Sequence, residues 1–117
     1  MFLLLCTTVS VCFSADSAEV KKEILLRIPL LSPKSTRILS NSIDSLKGIM
    51  EIEACYELRV FIITFDANKI SDEATIMNIL NKQDINTTIE KINSSDIPVI
   101  KKNYKISKIK PIDNKTQ

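Results

Sequence analysis

The chain has 117 residues, one glycine, no histidine and a formal net charge of +2, which suits one domain with a modest core. These counts exclude histidine metal sites, histidine acid/base catalysis and catalytic triads. They also exclude a glycine-rich phosphate loop and the basic footprint of a nucleic-acid binder.

Residues 1–15 carry no charge, and Phe2 to Leu5, Val9, Val11 and Phe13 form an apolar run. This pattern predicts a secretory signal peptide cleaved near Ser14 or Ala15. The run is shorter than the roughly 20 residues of a spanning helix, so no stable membrane anchor is expected after cleavage. The mature chain is therefore expected to be exported, either periplasmic or secreted. Cleavage would remove Cys6 and Cys12 and leave Cys55 alone, with no internal disulfide. Residues 16–22 read as a linker.

Residues 23–31 alternate, with Ile24, Leu26 and Ile28 on one side and Leu25 and Arg27 on the other, which predicts a strand. Ser32-Pro33 supplies an N-cap and a proline in the first helical turn, where the missing N–H costs nothing. Leu39, Ile43 and Leu46 then share one face of a helix running to Lys47, and Gly48 takes the left-handed closing position. After it, Ile49, Ile52, Ala54 and Tyr56 face one way and Glu51, Glu53, Cys55 and Glu57 the other, a half-buried strand with an acidic outer face. Residues 59–65 are apolar on both faces and β-branched, which predicts a central strand. Ser71 is the expected cap of a second helix with Ile76, Ile79 and Leu80 on its apolar stripe, and residues 87–92 read as a fourth strand. The order βαββαβ predicts an α+β ferredoxin-like sandwich, with an antiparallel four-stranded sheet in the order 4-1-3-2 and two helices on one face.

Ser45-Leu46-Lys47-Gly48-Ile49 and Thr64-Phe65-Asp66, whose aspartate lies eighteen residues after the glycine, carry a resemblance to a known family. The stretch 29–92 resembles the heavy-metal-associated domain of periplasmic mercury-binding proteins and small copper chaperones. That family's pattern runs Gly-Met-x-Cys-x-x-Cys, a helix, Leu-x-Gly-Val, a strand, and a further strand ending in Phe-Asp or Tyr-Asp. The resemblance implies a domain over residues 23–92 followed by a basic extension, residues 93–117. It also implies a metal loop at Pro29, Leu30, Leu31, Ser32 and Ser35, where the two cysteine positions are occupied by Ser32 and Ser35. Soft ions such as Cu(I) and Hg(II) are held by thiolates, and a serine hydroxyl neither ionises at neutral pH nor offers a soft donor. Ser32 and Ser35 are thus degenerate metal-loop positions, expected to act as a helix cap and a polar first-turn residue.

Cys55 is the weak candidate ligand, expected on the open sheet surface, where two chains could share a soft metal ion. Leu25, Val60 and Ile62 are expected on the same outer face as an apolar strip and an interaction surface. Ile97, Val99, Ile100, Tyr104 and Ile106 are too many apolar residues for a solvating tail, so part of the extension is expected to pack on the domain or on a partner, lysines outward. Glu51, Glu53 and Glu57 read as a solvated acidic edge, not as an acid/base pair. The function expected is that of an exported, non-enzymatic binding module without a resident cofactor, whose partner is a protein, a second copy through the open sheet face included. The alternative is a soft-metal carrier or sensor using Cys55 between two chains.

Overall fold

The structure, a computed structural model, describes residues 20–110; the expected leader, and the end of the basic extension from 111 onward, lie outside the described residues. Strand β1 (Lys21–Arg27) is followed by helix α1 (Pro33–Ile43), strands β2 (Ile49–Cys55) and β3 (Val60–Asp66), helix α2 (Glu73–Asn81) and strand β4 (Glu90–Ile92). The chain continues through a 3-10 turn (Ser94–Asp96), helix α3 (Ile97–Asn103) and strand β5 (Ser107–Lys110). The fold of the described residues is α+β, an antiparallel sheet with three helices.

The expected sheet needs correction. Among the described residues it has five strands in the order β4-β1-β3-β2-β5, not four in the order 4-1-3-2. β2 is therefore an inner strand, because Ser107–Lys110 pairs along it with Glu53 opposite Lys108 and Ala54 opposite Ser107. Among the described residues the expected two helices also become three, with α3 on the opposite face from α1 and α2.

Local chemistry explains where the elements begin and end. β1 stops at Arg27 because the next residues turn: the Ile28 N–H donates to the Arg59 carbonyl at 2.9 Å, and the Leu31 N–H donates back to Ile28 at 2.9 Å. α1 closes at Ile43, short of the expected Lys47, and Leu46 still packs against the core from the turn that follows. The cap of α2 is Asp72 instead of Ser71, its carboxylate accepting from the Ala74 N–H at 2.9 Å. The fourth strand keeps only Glu90–Ile92, Asn86 having turned into the left-handed region at φ 60°.

Gly48 has φ +107°, and a Cβ there would lie 2.9 Å from Lys69 Cβ and 3.1 Å from Ile70 Cγ1. The glycine lets the start of β2 tuck beneath the loop after β3, where the Asp66 N–H donates to its carbonyl at 2.8 Å. An irregularity between Ile49 and Glu51 then brings Ile49 onto the same face as Ile52.

The sheet divides the molecule into two unequal apolar layers. On the inner side, Ile24, Leu26, Ile52, Phe61, Ile63 and Phe65 meet Leu39 and Ile43 of α1 and Ile76 and Leu80 of α2, all fully buried or nearly so. On the outer side, Leu25, Cys55, Val60 and Ile62 meet Ile97 and Ile100 of α3. β3 serves both layers, which is why all seven of its residues are buried.

Candidate functional site

Ser32 and Ser35 sit where the sequence places them, at the N-terminus of α1, and the structure shows how their hydroxyls are used. Ser32 Oγ accepts from the Ser35 N–H at 3.2 Å, and Ser35 Oγ accepts from the Ser32 N–H at 2.9 Å, a reciprocal capping box. Ser35 Oγ also donates to the Ser32 carbonyl at 3.1 Å. Both side chains are thus engaged by backbone groups of their own turn. A shallow cavity of about 190 Å³ lies beside them, walled by Leu30, Lys34, Ile38 and the loop residues Asp84 to Asn86. Leu30, which falls within the family's metal loop, is 57% exposed on its rim.

Cys55 is not on an open surface. It is fully buried in the outer layer, beside Val60 in the β2–β3 register and beneath α3. The expected interaction strip is covered in the same way: Leu25 and Ile62 are 0% exposed and Val60 is 3% exposed. The physical reason is the extension itself. From the β4 edge the chain crosses the outer face to reach the β5 edge, and Ile97 and Ile100, one helical turn apart, fill the strip as it passes. The sequence pattern that announces this helix is Ile97-Pro98 followed by Ile100, with Lys101 and Lys102 in the last turn.

The acidic face is also buried. Glu53 is 3% exposed and Glu51 is 8% exposed, whereas Glu57 lies in the exposed hairpin turn, off the strand. The charges of Glu51 and Glu53 are met from the extension. Lys101 Nζ lies 3.0 Å from Glu53 Oε1 and 3.1 Å from Glu23 Oε2. Lys108 Nζ lies 3.0 Å from Glu51 Oε2 and 3.7 Å from Glu53 Oε2. The approach of Lys101 to Glu53 is close but poorly angled, so Glu53 Oε1 is held by charge without an aligned hydrogen bond. Thr64 stands between Glu23 and Glu51 in the cross-strand register, its buried hydroxyl without a partner. Burial disfavours the Lys101 ammonium, yet Glu53 and Glu23 outweigh it and hold its pKa above the ordinary 10.5. Lys108 is raised as well, by Glu51 first and then Glu53.

At the β4 end of the outer layer the cover is incomplete. A cavity of about 290 Å³ opens between α3 and the sheet, walled by Leu58, Val60, Ile92, Val99 and Ile100, with Arg27 and Asp96 supplying one charge of each sign. Val99 is 58% exposed at its mouth. Among the described residues, no group of three or more histidine, cysteine, aspartate or glutamate side chains could hold a metal ion. Among the same residues, no helix is long and apolar enough to cross a membrane. Compared with known proteins, the chain matches no family model, no curated protein and no solved structure.

Proposed function

We propose that this chain is an exported, non-enzymatic protein-binding module. In this reading its frame is a ferredoxin-like, heavy-metal-associated-like βαββαβ unit whose metal loop has become a helix cap. The succession β1-α1-β2-β3-α2-β4 and the adjacency β4-β1-β3-β2 support the frame, and β5 adds to it. The capping box supports the loss of the loop's chemistry, since the hydroxyls of Ser32 and Ser35 are committed to the helix. The observation that carries the binding role is the outer face of the sheet: a continuous apolar strip that ends in an open cavity with Val99 at its mouth. Apolar concavities with a few charged groups on the rim are where proteins take up partners. The soft-metal carrier needs its bridging thiol at a surface, and Cys55 lies beneath α3.

Panning the full chain against a displayed peptide library tests the reading. The expected result is a set of peptides binding at one site, weakened about tenfold or more by Val99→Asp and unaffected by Lys34→Glu. A library yielding only peptides indifferent to Val99→Asp overturns it.

A further inference from the structure

Helix α3 differs from the other two helices in how it is held. The first two open on side-chain caps, whereas the N-cap of α3, Asp96, makes no side-chain cap hydrogen bond. α3, with seven residues, is the shortest of three described helices that are all below the length at which a helix holds itself together in water. Ile97 and Ile100 are buried from it, as many as Ile76 and Leu80 from α2, but the 290 Å³ cavity undercuts it at Val99 and Ile100. Its remaining tie is the Lys101 ammonium on Glu53 and Glu23. β5, by contrast, is fixed on both faces, by Lys108 to Glu51 and by Lys110 to Asp44 at 2.9 Å.

We propose that α3 is a latch: it lifts off the sheet while β5 stays paired, and the groove beneath accepts an amphipathic helix from another protein, apolar at two positions one turn apart and basic at the next. The partner's chemistry follows from what α3 itself supplies. The floor is Leu25, Val60, Ile62 and Cys55, which requires two aliphatic side chains. With Lys101 withdrawn, Glu23 loses the lysine that neutralises it and Glu53 keeps only the longer contact to Lys108 at 3.7 Å, so the groove is acidic and selects a cation. α3 then occupies in cis the site that the partner takes in trans, and each competes with the other. This inference rests on the protein-binding reading and adds to it the site, the partner's chemistry and a means of control.

Cys55 reports the latch, because its thiol is covered by α3 and is reached when that helix lifts. In the full chain, iodoacetamide labelling is followed at the Cys55 peptide by mass spectrometry, which separates it from Cys6 and Cys12. Unfolding rates are measured by circular dichroism in the same buffer. Labelling is expected to outpace global unfolding by about tenfold or more, and to rise a further tenfold or so in Ile100→Ala and in Lys101→Met. A synthetic helical peptide with two isoleucines three residues apart and a following lysine is expected to slow labelling of Ile100→Ala saturably. The same peptide with glutamate for lysine is not. Labelling that never exceeds the unfolding rate in any of these chains overturns the latch. Labelling that exceeds it but is protected equally by both peptides, or by neither, overturns the basic-helix partner. Because the labelling rate needs no partner, a failed latch leaves the peptide-panning result standing.

Discussion

The two faces of this sheet are built on different terms. The inner face carries large aliphatic and aromatic side chains against two side-chain-capped helices, and its members are at or near zero exposure. The outer face carries a narrow apolar strip and two buried glutamates, covered by a short helix through two isoleucines and a lysine. Burial of apolar area holds the first and is non-directional. The second depends on an ion pair, whose gain is offset by the cost of removing charges from water. The contrast assigns global stability to the inner layer and local opening to the outer one.

Three measurements bear on that division, the largest effect first. Phe61→Ala removes a fully buried ring from the inner layer and is expected to cost about 3–5 kcal/mol in urea unfolding. Ile100→Ala should cost visibly less and shift hydrogen exchange mainly in residues 97–103; equal losses for the two would erase the distinction. Next, Ser32→Ala deletes one half of the capping box and is expected to lower stability by about 1 kcal/mol. The effect should leave Cys55 labelling relative to unfolding unchanged, since α1 lies across the sheet from that thiol. The smallest effect is on pH. Lys101 has a folded pKa above 10.5, so its contribution is fully present below that value and is lost as pH rises through the raised one. The urea midpoint should therefore fall as pH rises above about 10.5 in the wild type more than in Lys101→Met. An identical fall in both would show that the Lys101 contacts contribute nothing to holding α3.

Much of the inner layer was legible in the chain because it obeys simple periods. Ile24 and Leu26 alternate, Leu39 and Ile43 recur at helical spacing, and Val60 to Phe65 is apolar on both faces, so strand, helix and central strand follow from the pattern. Gly48 marked the right seam, although the helix before it closes at Ile43. The outer layer was half legible. Leu25, Val60 and Ile62 share one face as the pattern implies, and the packing expected of part of the extension is seen at Ile97 and Ile100, although Lys101 turns inward to Glu53 and Cys55 is covered, not open. Its cover comes from a segment too short and too rich in lysine to stand out as helix or strand, and one whose elements form by docking more than by intrinsic preference. Cys55 and Glu53 followed from that error: a strand judged to lie at the edge places them in solvent, and β5 and α3 place them inside. At the loop, Ser32 and Ser35 were placed correctly as the cap, while the reciprocal bonding of their hydroxyls needed coordinates to see.

The outermost described strands of the sheet are β4, Glu-Lys-Ile, and β5, Ser-Lys-Ile-Lys. Strand rims present unpaired amide and carbonyl groups that recruit further chains into fibres, and brevity with lysine is how natural sheets deter that recruitment. By placing Lys108 and Lys110 outside the longer β2, the extension gives the protein colloidal protection. A chain cut before Ser107 would present β2 as a bare rim, and it should precipitate at concentrations the whole chain tolerates.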